Sequence, residues 1–238
     1  MSNHQILTPT NHGGLRIRTE ASAALGDGVS ASLAVPAEFQ RLACEYPILF
    51  RYDGERASYS ALALFGFEQG ENLFIQSGRW DAACKPLAMA VQPFLVGRSQ
   101  SGEGPTQVHV DMDHPRICVG DEGVPVFSEQ GQPTPYLAEV AEMIGALDDG
   151  YRASGDFFTA LARYDLLEPF SMDVTLANGA MHRMVGYHLI NEDRLAALEP
   201  GVLAELHGAG HLGPIYMAIA SLGNLGKLVR RKNRRSDG

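Results

Sequence analysis

The sequence predicts an α+β fold in which antiparallel β-hairpins pack against helices, with a helical segment at the C-terminal side. Three observations predict it. Short apolar runs separated by Gly, Pro and Asn fill residues 46–128, as in a sheet of short strands. Apolar residues then recur at helical spacing over 134–166. Finally, residues 172–190 form two strand-like runs around Asn178-Gly179, which is a strong hairpin signal.

The N-terminal part is predicted to hold extended chain, a short helix and a strand. Residues 1–35 are polar or small, and we expect them to join the domain as an extended segment. Pro36 stands at the first turn of a predicted helix that runs to Cys44. Because Pro47 cannot continue that helix, the bulky apolar residues 46–50 are predicted to form a strand.

The middle of the chain is predicted to be a series of strands. Residues 60–67 form an apolar run that we expect to pair back with residues 73–75 across a turn at 68–72. Residues 92–96 are predicted to be extended. Residues 108–112 alternate between apolar and polar side chains, as a half-buried strand does.

Helices are predicted to dominate the remaining chain outside the 172–190 hairpin. Thr134 caps a first helix that has Pro135 in its first turn, and a second helix begins after Ser154. Further helices are expected at 191–198, at 200–208 and, as one long helix, from residue 212 onward.

Charge divides the chain into an acidic body and a basic end. The net charge at pH 7 is −9, yet residues 227–238 carry six Lys and Arg against one acid, so the preceding residues carry −14. We predict a single domain over 36–229 and a disordered basic tail over 230–238. Such a tail suits contact with an anionic surface or an acidic partner.

Several classes of protein are excluded on these grounds. An acidic body does not suit nucleic acid, so no nucleic-acid partner is expected. The first residues show no signal-peptide pattern, and no run reaches the ~18 apolar residues of a membrane span. Cys44, Cys84 and Cys118 are odd in number and form no CxxC pair, which argues against a disulfide framework or a zinc site. We therefore expect a cytoplasmic protein without a transmembrane segment.

Motifs in both halves of the chain resemble the SapC-like family of bacterial proteins, over about residues 12–230. In the N-terminal half, the resemblance rests on Glu38-Phe39, Tyr46 to Phe50, Gly70 to Phe74, Trp80 and Pro93-Phe94. In the C-terminal half, it rests on Leu166 to Pro169, Gly186 to Glu192, Gly213 to Tyr216 and Ser221 to Leu225.

The resemblance implies a non-enzymatic accessory or binding role in peptide or nutrient uptake or modification systems. Members of this family are often encoded beside flavin-dependent halogenase-like proteins, cupin-like hydroxylases and outer-membrane receptors. A protein, peptide or small molecule is therefore the expected partner, and halogenase-like or cupin-like proteins are candidate partners. No cofactor is expected.

Five residues in the resembling motifs are candidates for ligand binding. Large aromatic side chains with a polar edge suit contact with a ligand or peptide. The candidates are Tyr46, Asn72, Trp80, Phe94 and Tyr187. No catalytic set is predicted, since the chain has no G-x-S-x-G, P-loop or dinucleotide-binding motif.

The alternative hypothesis is a non-haem Fe(II)/2-oxoacid-dependent oxygenase with Fe(II) and 2-oxoglutarate as cofactors. His109 and Asp111 are two residues apart on a predicted strand, so both face the same side and could bind one metal ion. A distant histidine would complete a 2-His-1-carboxylate site. His182, taken here as that ligand, is one of four candidates, with His188, His207 and His211.

Overall fold

The structure, a computed structural model, describes residues 3–97, 107–118 and 120–236. Its strands are β1 (His4–Ile6), β2 (Arg16–Ile17), β3 (Ala31–Ala34), β4 (Ile48–Asp53), β5 (Ser58–Leu64), β6 (Ile75–Gln76), β7 (Arg79–Trp80), β8 (Phe94–Gly97), β9 (Gln107–Asp111), β10 (Ile117–Cys118), β11 (Val124–Pro125), β12 (Leu167–Thr175) and β13 (Met181–Ile190).

Its α-helices are α1 (Pro9–His12), α2 (Phe39–Leu42), α3 (Leu87–Ala90), α4 (Pro135–Arg163), α5 (Glu192–Ala196), α6 (Pro200–Gly208), α7 (Leu212–Ser221) and α8 (Asn224–Ser236). Two short 3-10 helices cover Ala23–Leu25 and Pro36–Glu38. The strands pair in antiparallel fashion and helices make up the C-terminal part, which confirms the predicted α+β class.

The chain divides into two compact units. Unit 1 consists of the described residues within Met1–Gly28, Ile75–Asp81 and Leu87–Asp149. Unit 2 consists of those within Val29–Phe74, Ala82–Pro86 and Gly150–Gly238. This division differs from the single domain predicted over 36–229. Because the chain passes between the units at several short crossings, no Gly-, Ser- or Pro-rich linker marks the boundary in the sequence.

Unit 1 is built from three small antiparallel sheets and the first half of α4. The sheets have the strand orders β1–β9–β8, β10–β2–β11 and β6–β7. Its core is apolar and consists of Leu15, Ile17, Val91, Phe94, Val110, Val126, Phe127, Leu137, Val140 and Ile144. The predicted extended segment thus contributes β1 and β2 to this unit, as well as the short helix α1.

A buried ion pair ties the N-terminal segment of unit 1 to the loop before β10. Arg116 Nη2 lies 2.6 Å from Asp27 Oδ2, and the two side chains are 3% and 0% exposed. Arg116 Nη1 also donates to the carbonyl oxygens of Arg18 and Glu20. These bonds satisfy a charge pair that would otherwise be costly to remove from water.

Unit 2 is built on one five-stranded antiparallel sheet with the order β12–β13–β4–β5–β3. Aromatic rings fill its interior: Phe39 lies 6.4 Å from Phe50 and 6.0 Å from Phe157, measured between ring centroids. The β12–β13 hairpin has Asn178-Gly179 in its turn, as predicted. The centre of the sheet is therefore fixed by edge-to-face packing between aromatic side chains.

The partner predicted for the strand at residues 60–67 is wrong. β5 pairs with β4 in a register that sets Tyr52 opposite Tyr59, and with β3 on its other side. The true hairpin turn begins at Asp53, whose Oδ1 accepts hydrogen bonds from the backbone N–H groups of Glu55 and Arg56. This side-chain bonding stabilises a tight turn and places β5 antiparallel to β4.

Helix α4 is one continuous helix of 29 residues, whereas the sequence predicts two helices that meet near Ser154. Gly150 allows a close approach, because an added Cβ there would lie 2.6 Å from Val35 Cγ2. The buried Ser154 hydroxyl donates to the Gly150 carbonyl oxygen at 2.6 Å. Residues that locally suggest a break are thus accommodated inside the helix by packing and by a backbone hydrogen bond.

Residues 230–236 of the basic tail, for which the sequence predicts disorder, are helical as far as Ser236, and residues 237–238 of that predicted tail lie outside the described residues. Lys232 Nζ lies 2.5 Å from Glu71 Oε1 and 3.2 Å from Glu68 Oε1, and its side chain is 12% exposed. The Arg231 guanidinium lies 4.3 Å from the centre of the Phe74 ring. Two cations of the tail therefore bind an acidic and aromatic part of the same unit.

Side-chain hydrogen bonds also attach the junction of α7 and α8 to the sheet. Ser221 Oγ accepts a bond from the backbone N–H of Ile48 at 2.9 Å. Asn224 Nδ2 donates to the carbonyl oxygens of Ala43 and Tyr46. Because of this junction, α7 and α8 are separate helices rather than the single long helix predicted from residue 212.

The helical stretch Leu212–Arg235 is long and apolar enough to cross a membrane by length and composition. A core helix of a soluble protein meets the same criterion, and 28% of the apolar window in this stretch is buried. The absence of a transmembrane segment therefore stays a prediction.

Replacing Arg116 by Ala should lower the free energy of unfolding by about 3–5 kcal/mol, because it leaves the Asp27 carboxylate buried without its cation. Urea denaturation measures this loss. Arg18→Ala is the control, since Arg18 forms an exposed pair with Glu122 that should contribute at most about 1 kcal/mol. Equal losses of unfolding free energy in the two variants would contradict a special contribution of the buried Arg116–Asp27 ion pair.

Lys232→Gln should lower the free energy of unfolding by about 1–3 kcal/mol, because the largely buried Glu71 carboxylate loses its charged partner. The exposed Arg230 provides the matched control, and Arg230→Gln should change stability by no more than about 0.5 kcal/mol. A disordered tail predicts no effect from either substitution, so thermal or urea unfolding of the two variants separates a folded tail from a disordered one.

Candidate functional site

A groove of about 1030 Å³ lies in unit 2 between one face of the sheet and the second half of α4. Its floor includes Tyr52, Tyr59, Ala61 and Ala34. The residues of its helical wall share one face of α4, since they are spaced three or four apart: Tyr151, Ser154, Gly155, Phe158, Thr159 and Ala162.

The register of β4 with β5 places the tyrosines in the groove. Alternate residues of a strand face the same side, so Phe50 and Tyr52 point to the same face of the sheet. Phe50 is buried, with its ring 6.4 Å from that of Phe158. Tyr52, one step further along, has its ring 5.0 Å from Tyr59 on the opposite strand. On this face of β4, Phe50 therefore belongs to the core, and Tyr52, two residues later, belongs to the groove.

The inner surface of the groove is apolar and accessible. Tyr52 and Tyr151 are 47% and 50% exposed. The hydroxyl groups of Ser154 and Thr159 donate to backbone carbonyls of α4 itself. These hydroxyls are therefore already satisfied, and the wall offers mainly carbon surface to a ligand.

Charged groups stand at the rim of the groove. Arg56 lies 3.7 Å from Asp53 in the turn between β4 and β5. Arg163, at the end of α4, lies 3.0 Å from Glu205, and its guanidinium stands 5.1 Å from the centre of the Tyr164 ring. An apolar trough with charges at its rim has the composition of a binding surface.

The backbone of β5 has an open edge in the groove. β3 pairs with β5 only as far as Ala34 opposite Ala61, and no strand in the described part of the chain continues that line beside residues 58–60. Because the N–H of Leu64 donates to Pro47 on the β4 side, the backbone groups of Tyr59 point away from β4, toward the line of β3. The Tyr59 amide and carbonyl thus face an unoccupied strand position.

His188 lies beside this floor on β13. Its ring is 5.2 Å from that of Tyr59, in an edge-to-face arrangement. The Nδ1 atom is buried without a hydrogen-bond partner among the described residues. Burial lowers the pKa of His188 below its usual value, because the charged imidazolium would lose contact with water.

Three of the predicted ligand-binding residues belong to unit 2 and lie outside the groove. Tyr46 is fully buried, and its hydroxyl donates to the Cys84 carbonyl oxygen. Asn72 is also buried and accepts a hydrogen bond from the backbone N–H of Phe74 at 2.9 Å. Tyr187 accepts a hydrogen bond from Arg51, whose guanidinium lies 4.9 Å from the Tyr187 ring centre.

The other two predicted ligand-binding residues belong to unit 1. Trp80 is half-buried and pairs with Ile75 in the β6–β7 hairpin. Phe94 is fully buried in the core of unit 1, with its ring 6.4 Å from that of Tyr136. A ligand-binding role of all five predicted residues stays a prediction.

The residues of the alternative metal site have separate surroundings. The His109 ring lies on Gly97, where an added Cβ would be 1.9 Å from its Cδ2 atom. Asp111 Oδ1 accepts from the backbone N–H of Asp113 at 3.2 Å. His182 Nδ1 lies 3.3 Å from Glu68 Oε1. Among the residues that the structure describes, no three His, Cys, Asp or Glu side chains are grouped so as to hold a metal ion.

Sequence reasoning missed the tyrosines of the groove. Asp53-Gly54 between aromatic and apolar runs is a hairpin signal that would have paired β4 with β5, but the register that sets Tyr52 opposite Tyr59 depends on the longer loop over 54–57. Tyr151 was missed for a different reason. Its exposure is a consequence of the continuous α4, which a local pattern interrupted by Gly150 and Ser154 does not predict.

Comparison with protein families gives one match: the model of the SapC family matches residues 7–228 of the 238-residue chain. Comparison with curated proteins and with solved structures finds no match. The family match covers most of both units, including every residue of the groove floor and wall.

His188 should make the protein less stable in mild acid. Its folded-state pKa lies below that of the unfolded chain, so the unfolded state binds more protons, and stability falls as the pH drops through about 6.5 toward the folded-state pKa. His188→Gln should therefore flatten the dependence of unfolding free energy on pH between about 7.5 and about 5. Replacing the exposed His207 by Gln is the control and should keep the wild-type slope, whereas identical slopes in all three proteins would contradict the role of His188.

Proposed function

This chain belongs to the SapC family, and from that premise we propose that it is a bacterial, cytoplasmic accessory protein that binds an extended peptide in the groove of unit 2. The proposed role is non-enzymatic and requires no cofactor. The observation that carries the proposal is the open edge of β5 at residues 58–60, which lies inside an aromatic groove.

The backbone of a peptide has a ready partner in this groove. Peptides commonly bind proteins by adding a strand to an open sheet edge, where main-chain hydrogen bonds provide affinity. The amide and carbonyl of Tyr59 face the vacant strand position beyond the end of β3. A peptide strand that continues the line of β3 would form these bonds and complete the sheet.

The side chains of a peptide would meet mainly apolar surface. Tyr52 and Tyr151 are exposed from opposite sides of the groove, and Phe158 lies between the sheet and the helix wall. An aromatic or branched aliphatic residue of the peptide would be covered by these rings, while Arg56 and Arg163 remain available at the rim. The volume of about 1030 Å³ is at the upper end of the range for ligand pockets, which suits several residues rather than a small metabolite.

Family resemblance suggests which systems would use such a site. Halogenase-like and cupin-like hydroxylase proteins are the candidate partners that the resemblance implies. An accessory protein that holds an extended peptide could present a segment to such an enzyme or receive one from it. The partner protein itself would supply the chemistry.

Gly155→Leu tests this proposal, because it fills the groove without disturbing the helix. A Cβ at Gly155 meets no atom within 4 Å, and Leu favours a helix over Gly by about 0.8 kcal/mol. We expect stability to be unchanged or slightly raised, and peptide affinity to fall at least about tenfold through loss of space. The probe is a set of peptides selected on the wild-type protein from a displayed library of random 12-residue sequences, with affinities measured by calorimetry.

Gly145→Leu is the matched control, since Gly145 is also in α4 with no atom near its Cβ position but does not line the groove. It should bind the selected peptides as the wild type does. The proposal is overturned if selection enriches no peptide above a blank surface. It is equally overturned if the selected peptides bind Gly155→Leu as tightly as Gly145→Leu.

A further inference from the structure

Helices α7 and α8 carry one exposed stripe, called here the C-terminal stripe. Exposed positions recur every three or four residues and keep the same phase across the junction between the helices: Gly213, Tyr216, Ala220, Gly223, Lys227, Arg230 and Arg234. Positions with this spacing fall on one face of a helix. The stripe is apolar along α7 and cationic along α8.

The positive charge of the cationic half of the stripe is not neutralised by acidic residues within the same segment. Residues 212–236 contain six Lys and Arg and no Asp or Glu. Arg231 and Lys232 face inward and bind unit 2, as described above. Lys227, Arg230 and Arg234 are exposed on the stripe, where Lys227 Nζ also donates to a backbone carbonyl oxygen at 3.3 Å. Three exposed cations at i, i+3 and i+7 therefore lie on one face of the segment.

The apolar half of the stripe exposes one large side chain, that of Tyr216. A helix that is apolar on most sides usually lies in a protein core or in a membrane. α7 has this composition and buries Ile215 and Ala218, whereas Tyr216 is 50% exposed. Tyrosine is enriched where an apolar phase meets water, because its ring is apolar and its hydroxyl is polar.

We propose that the C-terminal stripe binds the surface of a membrane that contains anionic phospholipid. Lys227, Arg230 and Arg234 pair with lipid phosphates, and Tyr216 inserts its ring at the level of the headgroups. The complementarity is electrostatic along α8 and apolar along α7. This surface belongs to a different part of unit 2 from the groove, and the proposal does not depend on peptide binding there.

The segment lies on the membrane rather than across it. Ser221, Asn224 and Lys232 attach α7 and α8 to the rest of unit 2 by hydrogen bonds and ion pairs that a spanning helix would have to break. An anionic lipid surface fits the stripe better than an acidic protein does, because the cations are followed along the same face by small residues and the exposed Tyr216 ring. The headgroup layer of a membrane offers anionic phosphates next to an apolar region of acyl chains.

Sedimentation with lipid vesicles tests the proposal on the full chain. Vesicles of equal parts phosphatidylcholine and phosphatidylglycerol should bind the protein, and vesicles of phosphatidylcholine alone should bind it far less. The triple variant Lys227→Gln, Arg230→Gln, Arg234→Gln should bind the anionic vesicles about 100-fold more weakly, since each cation contributes about fivefold. Raising the salt from about 50 mM to about 500 mM should also weaken binding by screening.

Two further variants make the result specific to the stripe. The triple variant Arg79→Gln, Arg152→Gln, Arg194→Gln removes the same charge from exposed positions elsewhere and should bind the anionic vesicles within about threefold of the wild type. Tyr216→Ser should weaken binding while keeping its dependence on salt. The far-ultraviolet circular dichroism of each variant checks that it is folded.

The proposal is overturned if the wild-type protein does not sediment with the anionic vesicles, or if both triple variants lose affinity equally. Binding to soluble polyglutamate without binding to vesicles would also overturn it, since that result identifies an acidic protein as the partner. If Tyr216→Ser bound the anionic vesicles as tightly as the wild type, the Tyr216 ring would not contribute to binding, and this result would contradict the proposed insertion.

Discussion

The pairing of β4 with β5 is the constraint on which the groove of unit 2 depends. Phe50 opposite Ala61 belongs to the core, and Tyr52 opposite Tyr59 belongs to the groove. A slip of β4 by one residue would turn Tyr52 to the other face of the sheet and take Phe50 out of the core. Burial of the core therefore also fixes the position of the groove floor. Because β3 ends at Ala34, opposite Ala61, the sheet leaves a strand position open beside residues 58–60 of β5.

For the basic C-terminal segment, the sequence shows the positive charge but does not show which residues the cations contact. Its positive charge is evident from composition, but its partners Glu68 and Glu71 lie 164 and 161 residues earlier in the chain than Lys232. No local pattern indicates that contact. Once Lys232 and Arg231 are bound, helix geometry places Arg230 and Arg234 on the outward face of α8.

Local signals predicted those elements whose causes are local. Thr134 and Pro135 at the start of α4 and Asn178-Gly179 between β12 and β13 are correctly placed because caps and tight turns depend on a few adjacent residues. The continuity of α4 was not predicted, because the packing of Gly150 on Val35 is a tertiary contact. The groove was missed with it, since its wall exists only if α4 continues to Arg163.

Amide hydrogen exchange at Tyr59 tests the central claim, that an extended peptide completes the sheet at the open edge of β5. With a peptide selected on the wild-type protein at saturation, the Tyr59 amide should exchange at least about tenfold more slowly, because it gains a main-chain hydrogen bond. Amides of β9 in unit 1 should be unchanged. Tight binding without protection at Tyr59 would contradict the account.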